Sequence, residues 1–430
     1  MHWLRTRDAD FSARYAALLA ARGEAMDQAQ AVASAIIADV KARGQEALRE
    51  MGARWDRLDA NQSFRVSPQD LEAAVRACPP DLLEALRLAR DRVERFHAQE
   101  LPANRDWHDD SGLRLGWRWN AVDSAGVYAP GGLAAYPSSV IMNIMPARVA
   151  GVERIVLATP PGRAATNPAI LAAASLCGVE EVWRVGGAQA IAALAYGAGD
   201  LAPVDVIVGP GNAYVASAKR LVFGDVGIDS VAGPSEVFIL ADSATDPAWI
   251  AVDLLAQCEH DEEAQAILFT ADGDYAQAVL AALEAQLAAD PAAHTARASW
   301  DRHGAIILLR TVEEAFPLIN QGAPEHLQIA LHEAETYLPL VRHAGAIFLG
   351  AHAPEALGDY LAGPNHVLPT GRRARFSSGL STWNFMKRTT LIGCGPKGLA
   401  QLGPAGVRLA EAEGLSAHAR SLRLRMKPSA

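Results

Sequence analysis

Cysteine is scarce in this chain. Cys78, Cys177, Cys258 and Cys394 are the only four in 430 residues, and no two of them form a CxxC pair. That fits reduced thiols in a cytoplasm better than a disulfide framework. Long apolar runs are also missing: none approaches the length of a membrane span. The opening MHWLRTRDADFSARY lacks the apolar core of a signal peptide. Positive charge is short, with 39 Lys and Arg against 49 Asp and Glu and a net charge of -10. That deficit argues against nucleic-acid and anionic-membrane partners. No strict repeat and no low-complexity segment interrupts the chain. What is plentiful is apolar material: 50% of residues are hydrophobic, enough for a sizeable core. The length exceeds one ordinary core, so two or more domains are expected.

The first quarter reads as helical. Residues 1–24 form a short helical arm, and a long helix follows from about Asp27 to Met51. Another helix begins at Ser67-Pro68, with Ser as N-cap and Pro in the first position, and a third runs from Pro80 to about Gln99. Residues 105–125 are strand-like and carry Trp107, Trp117 and Trp119. From Gly126 the grain changes to short apolar runs alternating with helical patterns. Ile155–Ala158, Val182–Val185 and Val204–Val208 form one series. Val237–Leu240, Ala266–Thr270, Ala305–Leu309, His326–Ala330 and Ala344–Leu349 form a second. Alternating strand and helix implies parallel sheets in α/β layers, and two series imply two α/β units. After Gly371 the pattern loosens into a basic loop and a final helix, Pro404 to about Arg420, bearing Glu413 and His418. That last piece is too small to stand alone and must pack on another domain or subunit.

The chemistry gathers around Gly227 to Asp261. A Gly/Pro turn, Ala232-Gly233-Pro234-Ser235, precedes the apolar run Val237–Leu240. Asp246-Pro247 then opens a helix that ends in Gln257-Cys258-Glu259-His260-Asp261. Gln257 and His260, three apart, share a helix face and can hold a metal or a substrate. A solvated helix end is the bland alternative; turn, strand, helix and cluster together favour a site. Cys258 reads as a packing residue. Ligands in open α/β sheets bind beyond the carboxyl ends of the strands. Four glycine-bearing segments are candidates: Tyr128-Ala129-Pro130-Gly131-Gly132, Gly186-Gly187-Ala188-Gln189, Gly209-Pro210-Gly211-Asn212 and the Ser235 turn. Singly each is a tight turn; together, before helix starts, they suit a phosphate or dinucleotide. The literal GxGxxG at Gly393–Gly398 is rejected as a dinucleotide fingerprint, because no βαβ unit follows and Pro396 stands where the helix should start. Glu325-His326 leads a strand and offers two adjacent bases. Gly358-Asp359-Tyr360 and Gly363-Pro364-Asn365-His366 place a carboxylate near an imidazole. Glu413 and His418, five apart, point in different directions. Gln257, His260, Asp359 and His418 are mixed nitrogen and oxygen donors, a set suited to Zn²⁺, with Mn²⁺ or Co²⁺ open.

The stretches IDSVAGPSEVFILAD, DLLAQCEHD, GAPEHL, GDYLAGPNHVLPT and EAEGLSAHA, with VYAPGG, VGGAQAIAALAYG and GPGNAY upstream, resemble the histidinol dehydrogenase family over nearly the whole chain. The resemblance implies two Rossmann-like α/β/α domains with mainly parallel sheets. The expected division is a 1–24 arm, a first domain of 25–127 with 237–375, a second of 128–236, and a C-terminal 376–430 segment. It implies oxidation of L-histidinol to L-histidine in two successive NAD-dependent steps, through an aldehyde, at the end of histidine biosynthesis. Gln257, His260, Asp359 and His418 would hold one zinc per subunit, and Glu325 and His326 would be the acid–base pair. Ser235, His326, Asp359, His366, Glu413 and His418 would surround the substrate. Tyr128, Gln189 and Asn212 would contact NAD. The family is a homodimer whose C-terminal His reaches the neighbouring subunit's zinc.

That chemistry asks for these residue types. A metal can take the imidazole and amine nitrogens of histidinol and fix its alcohol carbon. A base, His326, removes the hydroxyl proton, and a carboxylate, Glu325, activates the water that hydrates the aldehyde. Two rivals stand beside it: another enzyme on this scaffold oxidising a different small alcohol such as a sulfonated diol, and a non-catalytic metal-dependent binding protein. Adjacent Glu325 and His326 argue against the second, since binding alone needs no pair of bases.

Overall fold

The computed structural model describes residues 1–21, 26–56, 58–59, 62–130, 136–161, 166–231 and 233–426. Its strands in chain order are β1 (His2–Arg5), β2 (Arg105–His108), β3 (Arg114–Ala121), β4 (Ser124–Tyr128), β5 (Arg154–Thr159), β6 (Glu181–Arg184) and β7 (Val206–Val208). They continue with β8 (Gly227–Ile228), β9 (Glu236–Ala241), β10 (Gln265–Thr270), β11 (Ala305–Leu308), β12 (His326–Ala330), β13 (Ala346–Leu349) and β14 (Met386–Gly393). They form a six-stranded sheet ordered β1-β11-β10-β9-β12-β13 and a five-stranded sheet ordered β6-β5-β4-β7-β8, both parallel throughout. A third, antiparallel sheet is ordered β14-β3-β2. The two α/β layers with mainly parallel sheets are as expected.

The continuous apolar runs follow from burial on both faces. Phe238 and Leu240 of β9 pack with Phe11, Tyr15 and Ile319 on one side. Val237 and Ile239 pack with Ile250, Leu254, Cys258 and Trp300 on the other. Period-two alternation thus needs an apolar residue at every position. The five-stranded sheet is covered likewise. Ile155 and Leu157 face a cluster holding Leu86, Val93, Ile141 and Ile170, while Val156 and Ala158 face one holding Ile37, Val40, Ile191 and Val215.

Several expectations are corrected. Residues 1–21 are not a helical arm: β1 pairs with β11, and the helix Phe11–Ala20 covers the six-stranded sheet. The long helix breaks at Gly44, whose φ of 53° ends one helix at Arg43 before Gln45–Met51 begins. Residues 33–93 pack chiefly on the five-stranded sheet, although Leu361 and Val367 of 237–375 lie against the same cluster and Arg92 donates to the Leu361 and Ala362 carbonyls, and β4 belongs to that sheet as well. The grouping of 25–127 with 237–375 is therefore not the one the packing makes. The final helix does not start at Pro404. It runs Pro396–Ala412 with Pro404 inside it, and a second helix, Ser416–Met426, folds back on it. Gly403 permits that close return, since a Cβ there would meet Met426 Sδ at 2.4 Å. Pro396 does open a helix, where a missing N–H costs nothing. The GxGxxG still has no dinucleotide setting, because β14 before it pairs antiparallel with β3.

In the five-stranded sheet the order reverses between β4 and β7, and in the six-stranded sheet between β9 and β12. The chain passes from the carboxyl end of β8 to the amino end of β9 through residues 229–235. That short crossover holds the carboxyl end of one sheet within about 25 Å of the amino end of the other.

Candidate active site

Glu325 and His326 stand at the amino end of β12, with His326 in register with Val237 of β9. The carboxyl-end rule fails for this pair. Helices that follow the strands run back and deliver their own ends to this edge. The helix Pro247–Cys258, capped by Asp246 as expected, brings Gln257 in its last turn. His260 lies in the turn just beyond, where Glu259 keeps helical dihedrals and the His260 N–H donates to the Gln257 carbonyl at 3.3 Å. The helix Glu355–Tyr360 brings Glu355 and Asp359.

His326 is buried. Its Nδ1 lies 3.2 Å from the Glu236 carbonyl oxygen, 3.2 Å from Gln257 Oε1 and 3.4 Å from Glu355 Oε1. A backbone carbonyl can only accept, so Nδ1 carries the hydrogen and Nε2 keeps its lone pair. Burial pushes the imidazole down to about 4, so it is neutral near pH 7 and its 3.4 Å approach to Glu355 is not an ion pair. Burial acts oppositely on Glu325. Its carboxyl is pushed up to about 8 by burial first and then by the Glu236 and Asp359 charges. The Ser235 hydroxyl and the Glu236 N–H, the latter 3.1 Å from Oε2, hydrogen-bond it and partly offset the rise. The Glu325 N–H returns a bond to Glu236 Oε2 at 3.3 Å, and Gly371 N–H donates to Glu236 Oε1 at 3.0 Å.

His260 Nε2 lies 3.9 Å from Asp359 Oδ2. His260, Glu355 and Asp359 offer ligand atoms within 4.8 Å of one another. Glu355 was not foreseen. It is buried, its carboxyl is held well above the usual range by burial and then by Asp359 and Glu325, and among the described residues its Oε2 has no hydrogen-bond partner. Its signal was the spacing to Asp359, four residues on along one helix face. His366 joins the same cluster: its Nδ1–H donates to the Asp359 carbonyl at 2.9 Å, and Ser139 Oγ lies 3.4 Å from Nε2. The structure thus gathers Ser235, Gln257, His260, Glu325, His326, Asp359 and His366. It does not bring Glu413 and His418 to them. Both are exposed on the C-terminal helix pair, whose small core of Val407, Ala410 and Ala419 is its own.

At the five-stranded sheet, the loops after β4 and β7 lie at carboxyl ends flanking the point of order reversal, and the loop after the edge strand β6 lies at the same end of the sheet. Gly209, φ 121°, runs so close to β4 that a Cβ would sit 2.0 Å from the Tyr128 carbonyl oxygen. Gly187, φ 64°, opens the helix Gly187–Tyr196. Gly131 and Gly132 of the first candidate loop, and Ala232 of the Ser235 turn, lie outside the described residues. Tyr128 and Gln189 are buried and already engaged: the Gly187 N–H donates to the Tyr128 hydroxyl at 3.1 Å, and Gln189 Nε2 donates to Asp56 at 3.2 Å. Asn212 is exposed and caps the helix Ala213–Val222 by accepting from Tyr214 and Val215 N–H. A backbone cradle shaped by glycine at the reversal of strand order fits a dinucleotide phosphate.

Parallel α/β layers that set a buried acid–base pair against converging nitrogen and carboxylate donors have the architecture of an α/β enzyme. The histidinol dehydrogenase family model matches residues 19–426. The histidinol dehydrogenase of Gluconobacter oxydans is 53% identical over 428 residues, covering 99% of this chain and 100% of that one. That of Rhodopseudomonas palustris is 54% identical over 418 residues, 97% of each. The crystal structure of histidinol dehydrogenase from Elizabethkingia anophelis superposes with a TM-score of 0.93 at 33% identity, covering 99% of this chain and 98% of that chain. The chain belongs to the histidinol dehydrogenase family and is an oxidoreductase. Among the described residues, no helix is long and apolar enough to cross a membrane.

Proposed function

We propose that the chain oxidises L-histidinol to L-histidine through L-histidinal, in two successive NAD⁺-dependent steps that end histidine biosynthesis. The carrying observation is the buried Glu325–His326 pair beside the His260–Asp359 donors. The donor chemistry fits a zinc site: Gln257, His260, Asp359 and a partner's His418 would hold one ion per subunit, and Mn²⁺ or Co²⁺ suits the same atoms. When bound, zinc would supply a Lewis acid for the substrate's nitrogens and NAD⁺ a hydride acceptor.

The rest falls to the chain's own residues. His326, fixed as the Nδ1–H tautomer, presents Nε2 to take the hydroxyl proton as hydride leaves the alcohol carbon. Glu325, once ionised, takes a proton from the water that adds to the aldehyde, and the hydrate then loses its hydride. Ser235 holds the Glu325 carboxylate in place. Tyr128, Gln189 and Asn212 serve NAD by shaping the loops rather than by offering free side-chain groups. Glu413 and His418 would complete the substrate and metal sites of a neighbouring subunit in a homodimer. The test is absorbance from NADH when NAD⁺ is offered with L-histidinol or with a sulfonated diol. Turnover with histidinol and not the diol is expected. The opposite selectivity would move the chain to another substrate, and turnover with neither would leave a binding protein.

A further inference from the structure

Lys219 has the hallmarks of a surface cation yet is 2% exposed, and its partner Asp229 has a side chain 3% exposed. Their charged groups form a buried ion pair. Lys219 Nζ also donates to the Gly209 carbonyl at 2.9 Å, and the Gly209 N–H donates to Asp229 Oδ2 at 2.9 Å. Both polar groups of one peptide residue are therefore taken by one ion pair. The reason lies in the backbone. Gly209 is one residue past the last rung between β7 and β4 and two past the last rung between β7 and β8, so among the described residues no strand pairs with it. Its φ of 121° turns it against Tyr128, where water does not satisfy it.

The three elements joined are those that frame the cofactor end. Lys219 belongs to the helix Ala213–Val222, whose N-terminus follows the Gly209–Asn212 loop. Gly209 ends β7. Asp229 begins the 229–235 crossover that leads to Ser235 and Glu236 at the catalytic edge. Burying a charged pair brings little net stability over an apolar pair of the same volume. What the pair does supply is geometry.

We propose that Lys219 and Asp229 are positioning residues. They lock the Gly209–Asn212 loop and the following helix N-terminus in the shape that receives the dinucleotide, and tie that shape to the crossover. The inference rests on the dinucleotide reading of these loops. An NADH fluorescence titration of the wild-type protein tests that reading by itself, because binding there is required whatever the ion pair does.

The discriminating variants are Lys219→Met and the double variant Lys219→Met/Asp229→Leu. The single variant strands a buried carboxylate and risks misfolding. The double one replaces the pair by apolar volume and leaves no stranded charge, so a merely structural role predicts wild-type cofactor binding in whatever fraction is folded. Positioning predicts that the double variant folds, somewhat less stable than wild type because the Gly209 N–H and carbonyl lose their partners, and binds NADH roughly tenfold more weakly, the scale of losing preorganisation in a binding loop. KM for NAD⁺ rises in parallel, and kcat at saturating NAD⁺ is unchanged. A well-folded double variant with wild-type NADH affinity would overturn the proposal. If the double variant does not fold, Asp229→Asn decides. It keeps an acceptor for the Gly209 N–H but loses the charge that orients Lys219, so weakened NADH binding in a folded protein supports the proposal and unchanged binding refutes it.

Discussion

Glu325 and His326 are neighbours in the chain, and burial drives their protonation in opposite directions. The carboxyl is held up to about 8 and the imidazole down to about 4. The consequence for rate has a definite sign. Glu325 must be ionised to accept a proton from water, so the aldehyde-to-acid step should rise with pH along a limb centred at about 8 in the metal-free geometry and lower beside a bound cation. His326 is neutral across that range and adds no limb. A pH profile of kcat/KM for L-histidinal checks this; a rate that falls between pH 6 and 8 contradicts it. Glu325→Gln should remove the limb and slow histidinal oxidation more than histidinol oxidation, by roughly 10² to 10⁴-fold for a lost general base. His326→Asn should damage both steps, and equal losses on both substrates for Glu325→Gln would refute the division of work. The motifs placed most of the cluster, because Glu325-His326 and the Asp359 and His366 loops each juxtapose donors locally. Glu355 escaped because an acidic residue after Pro354 reads as an ordinary first helical turn. Lys219 escaped because lysine reads as surface, although Val215, Ala218 and Val222 put it beside the apolar face of its helix.

At the scale of elements, the alternation of apolar run and helix disclosed the parallel layers, since strands buried on both faces carry no polar period. It could not disclose which helices cover which sheet. Residues 33–93 precede both series, and only long-range packing of Ile37, Val40, Leu86 and Val93 assigns them to the five-stranded sheet. Nor did the carboxyl-end rule foresee that the catalytic pair sits at strand amino ends, because the crossover 229–235 turns the two sheets' opposite ends together. The close passage of Gly209 against β4 yields a prediction. Gly209→Ala adds a Cβ 2.0 Å from a backbone oxygen at a left-handed φ of 121°. Gly224→Ala meets nothing within 4 Å among the described residues, at a φ of 112°. Strain alone costs on the order of 1–3 kcal/mol. Denaturant unfolding should therefore show a clearly larger loss for Gly209→Ala than for Gly224→Ala, and equal losses would mean that the β4–β7 approach is not rigid.

For the whole molecule, the C-terminal helix pair holds Glu413 and His418 exposed and away from the donors they are proposed to join. A site completed across a homodimer predicts complementation. His260→Ala and His418→Ala subunits, each inactive alone, should regain roughly a quarter of wild-type activity after dissociation and mixing, since half the dimers are mixed and each has one intact site if sites act independently. No recovery despite demonstrated subunit exchange would place each site within one chain. The most direct test of the central claim is the stoichiometry of NADH in metal-loaded and chelated protein. Metal-loaded protein given limiting L-histidinol and excess NAD⁺ should yield two NADH for each histidinol consumed, with L-histidine as product. Exhaustive chelation should abolish the yield and Zn²⁺ should restore it. One NADH per histidinol with L-histidinal accumulating, or full turnover in verified metal-free protein, would contradict the account.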